Sequence, residues 1–270
     1  MDWWQAVVLA VLQGLTEFLP VSSSAHLILP SQLLGWPDQG LAFDVAVHVG
    51  TLMAVMLYFR HDIVKLFKGF IQSTFLRTPS QDGKIAWWII IATLPAGFAG
   101  LFLNGAIEDH LRHAAVIAST TVIFGVFLLI ADKRKNLVKQ LTQMPLSHAV
   151  YIGLAQAIAL IPGTSRSGIT ITMALFLGYK RADAARFSFL LFIPLILLAG
   201  GYKTCELIFS ESIIPWGFIS MGVLVSCISA YICIHYFLKL IEQLSMTPFV
   251  VYRFLLGGFL FSALWFGWIL

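Results

Sequence analysis

Long apolar runs separated by short polar segments make up most of the chain. A helix that crosses the roughly 30 Å hydrocarbon core of a bilayer needs about 20 mostly apolar residues. Runs of that length predict six transmembrane helices, at residues 42–60, 86–104, 114–131, 185–203, 215–238 and 249–270.

Two further apolar regions are interrupted near their middle. Residues 6–34 are broken by Pro20 and by three serines that begin at Ser22, and residues 147–178 are broken by a polar run that begins at Pro162. Each half is too short to cross the hydrocarbon core. Non-helical backbone at membrane depth survives only where protein or a water-filled cavity satisfies it, so each region is predicted to be a re-entrant helical hairpin.

Composition excludes several classes of protein. The 270 residues are 59% hydrophobic and only 11% charged, whereas soluble domains average about 45–50% apolar and about 25% charged residues. A soluble enzyme, a disordered tail and a nucleic-acid-binding module are therefore excluded, and no nucleic-acid partner is expected. The predicted fold class is an all-α integral membrane protein.

The basic residues predict its orientation. Most of the 17 Lys and Arg residues lie in alternate loops, at 60–84, at 133–139, at 180–186 and around Lys239. The only basic residues in the loops between these are Arg112 and Lys203. The positive-inside rule places the basic loops in the cytoplasm, so both termini are expected on the outer side.

The two interrupted regions resemble each other. In each, a glutamine precedes a proline and a serine follows that proline by three residues, at an offset of about 142–144 residues: Gln13, Pro20 and Ser23, then Gln156, Pro162 and Ser165. The chain is therefore predicted to be one polytopic domain, residues 1–270, with repeats at about 1–135 and 145–270. Three spans per repeat make the second repeat inverted, with the broken helices facing each other. A chance resemblance between the two stretches is the alternative.

The first interruption carries a carboxylate. Gln13 and Glu17 are four residues apart, so they share one helical face, and a carboxylate in an apolar segment is a candidate functional group by default. Ser22, Ser23 and His26 follow at the break. The alternative is that the serines only cap the next helix and that His26 only forms hydrogen bonds.

The second interruption carries an arginine. Arg166 stands among small and hydroxyl residues, Ser165, Ser167, Gly168 and Thr170. A helix N-terminus with such residues is a typical anion site, and a guanidinium matches phosphate in a bidentate fork. Arg166 could instead pair structurally with Glu17. In a phosphate site, a Ser or His would attack phosphorus, and Glu17 would act as general base or bind a metal.

Other polar residues are less specific. Asp44 and His48 either line the same cavity or mark the outer end of a helix. Tyr252 and Arg253 are predicted to snorkel to the cytoplasmic interface, and His148 is expected to be solvated. The cysteines are interpreted as small apolar membrane residues.

These motifs resemble those of the bacterial undecaprenyl-diphosphatase (bacitracin-resistance) family. Residues 13–26, QGLTEFLPVSSSAH, are similar to its first signature, and residues 162–168, PGTSRSG, to its second. The similarity also includes residues 43–45, 187–191 and 252–253. It therefore covers essentially the whole chain.

The resemblance implies hydrolysis of undecaprenyl diphosphate to undecaprenyl phosphate and inorganic phosphate. That reaction recycles the lipid carrier of peptidoglycan synthesis and confers bacitracin resistance. The resemblance also implies an isoprenoid lipid diphosphate substrate, a multi-pass location in the bacterial inner membrane among its lipids, and an active site that faces the periplasm.

The resemblance also implies roles for single residues. Glu17 is a catalytic acid/base or metal-binding group, Ser23 and His26 are the competing nucleophiles, and Arg166 grips the diphosphate. The implied substrate-binding residues are Gln13, Ser22, Ser165, Ser167, Gly168 and Thr170. Gln13 stands where many relatives have a second Glu and cannot ionise, which puts a two-carboxylate site for Mg²⁺ or Ca²⁺ in doubt. Ala25 replaces a glycine common in relatives.

Several alternatives stay open from the sequence. A secondary carrier or flippase of a lipid or organic phosphate would also use inverted repeats. Ser23, His26 and water remain rival nucleophiles. The metal requirement and the oligomeric state, for which a homodimer is one hypothesis, are open.

Overall fold

The computed structural model describes residues 1–111, 113–209 and 216–269. Within these ranges it contains a short 3-10 helix, Leu141–Gln143, and eleven α-helices. They are α1 (Trp3–Thr16), α2 (Ser23–Leu34), α3 (Gly40–Tyr58), α4 (Arg60–Thr74), α5 (Gln81–His110), α6 (Ala114–Asp132), α7 (Leu146–Ile158), α8 (Arg166–Phe176), α9 (Arg181–Phe209), α10 (Trp216–Gln243) and α11 (Thr247–Trp265). Arg112 and the predicted span ends at 215 and 270 lie outside the described residues.

Six of these helices are long and apolar enough to cross a membrane, which confirms the predicted number of spans. They are α3, α5, α6, α9, α10 and α11. Both α5 and α9 begin in basic loops and continue through an internal proline, Pro95 and Pro194 respectively. Their N-termini therefore lie several residues before the apolar runs that predicted them.

The basic loop at 60–84 contains a helix that the sequence analysis did not predict. In α4, partly buried apolar residues recur on one face while basic residues occupy another, which is the pattern of a surface helix. Gly69 of this helix lies against Gly83 of α5 so closely that a Cβ on Gly69 would be 2.5 Å from the Gly83 nitrogen.

The two interrupted regions form pairs of short helices. Helices α1 and α2 are joined by residues 17–22, here called turn 1, and α7 and α8 by residues 159–165, here called turn 2. At about 1.5 Å per residue, these helices of 11–14 residues are each shorter than a bilayer core. The breaks fall where the sequence analysis placed them, and the re-entrant path through a membrane stays a prediction.

Close packing holds both helix pairs on the bundle. A Cβ on Gly14 of α1 would lie 1.9 Å from the Ser229 hydroxyl of α10, and a Cβ on Gly153 of α7 would lie 2.6 Å from the Ala92 carbonyl oxygen of α5. Small residues let helix backbones approach in this way in membrane proteins. The packing leaves turn 1 and turn 2 facing each other.

Candidate active site

Both turns end on a serine with an unusual backbone. Ser22 has φ 78° and ψ 99°, and Ser165 has φ 70° and ψ 112°. A positive φ is uncommon outside glycine, and such strained residues cluster at functional sites. The backbone thus pairs Ser22 with Ser165, an offset of 143, whereas alignment through the prolines pairs Ser23 with Ser165. Ser23 and Arg166 follow these serines, and each is the first residue of its helix.

Hydroxyl groups link the two turns. Ser22 Oγ is 3.1 Å from Ser24 Oγ, and Ser165 Oγ is 3.3 Å from Ser167 Oγ. Across the interface, Ser167 Oγ donates to the Leu19 carbonyl oxygen at 3.0 Å, and the Gly163 amide donates to Ser24 Oγ at 3.4 Å. Each turn therefore contacts the helix that follows the other turn.

The Glu17 carboxylate is the centre of the polar cluster. It is buried, with 7% of the residue exposed. Its Oε2 accepts hydrogen bonds from Ser23 Oγ at 2.7 Å and from Gln13 Nε2 at 3.1 Å, and its Oε1 lies 3.5 Å from Arg166 Nη2. His48 Nε2 is 4.0 Å from Oε2. The fold thus joins residues that are about 150 positions apart in the chain.

Arg166 is held in place but retains a spare donor. Its Nη1 donates to the Ser188 carbonyl at 3.1 Å, and its guanidinium carbon lies 4.5 Å from the centre of the Phe192 ring. Its buried Nε, the buried Thr164 Oγ1 and the buried Gln13 Oε1 have no hydrogen-bond partner. An unpaired buried polar atom costs about 1–3 kcal/mol. A ligand whose acceptor oxygens reached this guanidinium would give its Nε a partner.

His26 is engaged at both ring nitrogens. Nδ1 lies 2.6 Å from the Ser22 carbonyl oxygen, and Nε2 lies 2.6 Å from the Tyr252 hydroxyl. Because a carbonyl oxygen only accepts, Nδ1 carries the hydrogen. Nε2 of the neutral ring therefore accepts from Tyr252, and the lone pair that a nucleophile needs is occupied.

The other predicted binding residues hold α8 in position. Thr170 Oγ1 donates to the Arg166 carbonyl at 2.8 Å and pairs with Ser188 Oγ at 2.7 Å. The Gly168 amide donates to Ser165 Oγ at 3.1 Å, which makes Ser165 the N-cap of α8. Ser22 makes no such capping bond to α2. The substrate-binding roles of Thr170 and Gly168 stay predictions.

One expectation about polar residues was wrong. Arg253 does not snorkel to an interface, because its side chain is fully buried and donates to backbone carbonyls of both turns. His148, which was expected to be solvated, is partly exposed, and its Nδ1 also pairs with the Tyr179 hydroxyl at 2.8 Å. Burial raises the pKa of Tyr179 to about 12, so that hydroxyl stays protonated.

Asp44 and His48 were expected either in the same cavity as Glu17 or at the outer end of a helix. The structure brings His48 next to Glu17, while Asp44 Oδ1 accepts from Gln39 Nε2 at 2.9 Å. No local feature of the sequence indicated the contact between Phe192 and Arg166. Helix α11 contacts the site through Tyr252 and Arg253. The one sign of this in the sequence was that these two adjacent polar residues lie on an otherwise apolar helix.

A divalent cation would find few protein ligands here. In the part of the chain that the structure describes, no three His, Cys, Asp or Glu side chains come together. The site does contain the Glu17 carboxylate and the amide oxygen of Gln13, which is buried without a partner and belongs to the amide whose nitrogen donates to Glu17. Mg²⁺ is commonly held by one or two carboxylates with substrate phosphates, so these residues fit an ion that arrives with a diphosphate.

Comparisons with known proteins give a consistent result. A family model described as bacitracin resistance protein BacA matches residues 6–259. A protein of Saccharophagus degradans named undecaprenyl-diphosphatase is 62% identical over 266 residues, covering 98% of this chain and 100% of that protein. Proteins with the same name from Teredinibacter turnerae and Aliivibrio salmonicida are 59% and 57% identical, covering 97% and 95% of this chain and 100% and 96% of those proteins.

Proposed function

The chain belongs to the bacitracin resistance protein BacA family, and we propose that it hydrolyses undecaprenyl diphosphate at the cluster of Glu17, Ser23 and Arg166. It is a multi-pass membrane enzyme whose products are undecaprenyl phosphate and inorganic phosphate. One observation carries the site. A buried carboxylate accepts the hydrogen of a serine hydroxyl and faces an arginine that has a spare donor.

Ser23 is the proposed nucleophile. Glu17 Oε2 takes the hydroxyl proton as Ser23 Oγ forms a bond to the terminal phosphorus. The bond from that phosphorus to the bridging oxygen breaks, and its electron pair leaves with undecaprenyl phosphate. Water then attacks the phosphorus of the phosphoserine and loses one proton to a phosphate oxygen. The bond from that phosphorus to Ser23 Oγ breaks as Glu17 returns its proton to Oγ, so that inorganic phosphate departs and both residues are restored. A positioned general base contributes about 10²–10⁴-fold to such a step.

Arg166 and the N-terminus of α8 are proposed to bind the phosphoryl oxygens. Charge on these oxygens grows as the leaving group departs, and fixed donors stabilise it without reorganisation. In the absence of substrate, Arg166 lies 3.5 Å from Glu17, which is long for a charge-assisted hydrogen bond. A phosphate oxygen can therefore compete for the guanidinium.

His26 is proposed to position the site rather than attack phosphorus. Its two hydrogen bonds connect turn 1 to α11, and its Nε2 lone pair accepts from Tyr252. Ser23, by contrast, donates directly to a carboxylate. This difference favours serine over histidine as nucleophile.

A divalent cation, Mg²⁺ or Ca²⁺, is proposed to bind together with the substrate. Glu17 and Gln13 Oε1 would hold it on the protein side. When bound, the ion would supply additional positive charge to the phosphoryl oxygens.

The two helix pairs are proposed to be re-entrant hairpins of an inverted repeat. The equivalent backbone of Ser22 and Ser165 supports this, as does reciprocal packing in which α1 and α3 contact α10 while α7 and α9 contact α5. The basic loops support an inner-membrane orientation with the site towards the periplasm. A homodimer stays a prediction. The carrier hypothesis is not favoured, since the relatives are named as diphosphatases.

Trapping the phosphoenzyme tests this assignment. Purified protein is mixed with undecaprenyl diphosphate labelled on its terminal phosphate, quenched after a fraction of one turnover, and digested for phosphopeptide mapping. We expect acid-stable label on Ser23, lost in Ser23→Ala and kept in Ser31→Ala, a control on the same helix. Acid-labile label on His26, or turnover without any adduct, would contradict the serine mechanism. If the wild-type protein releases no inorganic phosphate from undecaprenyl diphosphate, the proposed function itself is contradicted.

A further inference from the structure

Arg253 of α11 is the largest fully buried side chain of the described structure. Its guanidinium donates to backbone carbonyls of turn 1, turn 2 and α6. The acceptors are Thr121 at 2.9 Å, Gly163 and Thr164 at 3.1 Å, and Pro20 and Thr120 at 3.3 Å. Within the described residues none of these partners is a carboxylate, so its positive charge has no ionic counterpart.

Helix packing alone does not account for this arrangement. Removing a charge from water costs free energy that hydrogen bonds only partly restore, and apolar replacements of buried charges are often neutral or stabilising. Close packing of α11 against α6 could be achieved with an aliphatic side chain. The charge therefore calls for a reason connected with the site.

The acceptors suggest that reason. Pro20 lies just before Ser22, and Gly163 and Thr164 lie just before Ser165, so Arg253 binds the backbone immediately before both positive-φ serines. It is a single rigid group that contacts both turns at once. Its five donors in a planar fork suit this task, whereas a lysine ammonium has three donors on a flexible stem.

The same bonds also affect the charge around the anion site. Carbonyl oxygens that point at a guanidinium do not point at a bound phosphate, which they would repel. The Nη1 atom is near the start of α8, since a Cβ on Gly168 would lie 3.2 Å from it. The positive charge of Arg253 thus lies close to the N-terminus of α8, the helix that begins with Arg166.

We propose that Arg253 is a positioning residue that fixes turn 1 against turn 2, so that Ser23 and Arg166 meet on one phosphoryl group. This inference rests on the proposed function of the cluster. It predicts that Arg253 acts mainly on kcat, because in-line attack needs both turns in register, while the diphosphate still binds to Arg166. A misplacement of about 1 Å between reacting groups can cost about 10²-fold in rate.

The test compares Arg253→Lys and Arg253→Met with Arg181→Lys. Arg181 binds the buried Asp132 at 2.5 Å, its side chain is 31% exposed, and its hydrogen bonds go to Asp132 and to neither turn, so it is an ion-paired arginine control outside the site. Phosphate release gives kcat and KM, and thermal unfolding in detergent gives Tm. We expect Arg253→Lys to lower kcat by about 10–100-fold, with KM within about 3-fold, and this loss of kcat should exceed the loss that an equal drop in Tm causes in the Arg181 variant. We expect Arg181→Lys to lower Tm and leave kcat unchanged.

Three results would overturn the inference. The first is a wild-type kcat in Arg253→Lys, and the second is a change in KM with kcat unaltered. The third is a fall in kcat that is proportional to the fall in Tm across the Arg253 and Arg181 variants. If Arg253→Met does not fold, Arg253→Lys alone decides, since it keeps the charge. A wild-type protein that releases no phosphate refutes the proposed function instead, so the two failures are distinct.

Discussion

Turn 1 and turn 2 share a backbone and differ in what they carry. Each ends on a serine at positive φ, each has a hydroxyl pair two residues apart, and each starts a short helix. Turn 1 supplies the carboxylate of Glu17, and α2, which follows it, supplies the hydroxyl of Ser23. Helix α8, which follows turn 2, supplies the guanidinium of Arg166. The site is thus assembled from two similar scaffolds of opposite charge, and neither scaffold contains the chemistry alone.

Removing either charge should have the largest effect. Glu17→Ala removes the base and Arg166→Ala removes a phosphoryl donor, so phosphate release should fall at least about 10²–10³-fold in each. Folding should survive, which thermal unfolding of the purified variants would verify. Asp62→Ala, which breaks an ion pair with Arg186 outside both turns, should keep full activity. Full activity in either turn variant would refute the site.

The α11 contact to turn 1 should have a smaller effect. Tyr252→Phe keeps the ring stacked on His26 but removes the hydroxyl donor, and one hydrogen bond of about 1 kcal/mol corresponds to about 5-fold in kcat/KM. The same change in a His26→Ala background should cost nothing further, because the partner is gone. Tyr236→Phe, on an exposed tyrosine of α10, is the control. Additive losses would mean that the two residues act separately.

Gln13 precedes turn 1 and Gln156 precedes turn 2, but only Gln13 is proposed to bind a metal ion. Gln13→Glu places a second carboxylate beside Glu17, so the Mg²⁺ or Ca²⁺ concentration that gives half-maximal phosphate release should fall several-fold. Gln156→Glu, at the equivalent place before turn 2, should leave that concentration unchanged, because Gln156 donates to the Ala92 carbonyl and not to a carboxylate. Equal shifts in both variants, or none in either, would contradict the proposed ion site.

The smallest difference concerns the two serines themselves. Ser165→Ala removes an N-cap bond to the Gly168 amide, whereas Ser22→Ala removes none. An N-cap is worth about 1 kcal/mol, or about 2–4 °C in Tm for a chain near this size. Ser165→Ala should therefore unfold at the lower temperature of the two variants. Equal values of Tm would show that the turns differ in chemistry but not in capping.

Much of this organisation was predictable from sequence, for identifiable reasons. Helices α3 and α6 fall close to their predicted ranges, because an uninterrupted apolar run of about 20 residues has few alternatives. Both breaks were predictable because proline and clustered hydroxyl residues interrupt apolar runs. The amphipathic helix α4 was missed, since a basic loop was interpreted only as a topology signal.

The contents of the site were predictable in kind but not in arrangement. Glu17, Ser23 and Arg166 stand out because buried polar groups are expensive in apolar segments. Nothing local showed that Ser23 donates to Glu17, or that His26 is turned to Tyr252. The prediction for Arg253 was wrong because an arginine near the start of a span usually snorkels to the interface. Its carbonyl partners could not be predicted, since they come from three distant segments of the chain.

The sequence by itself determined that this is a helical membrane protein with six spans, two broken apolar regions and a small set of polar residues at the breaks. Periodicity, the length of apolar runs and the positions of charges are properties of the linear sequence, so they can be identified without a structure. Only the tertiary structure decided that turn 1 meets turn 2, that Ser22 and Ser165 share a positive φ, and that Arg253 bonds to both turns. Those facts depend on which buried donors and acceptors satisfy each other across more than 80 residues of sequence, and each bond exists only once the helices have packed.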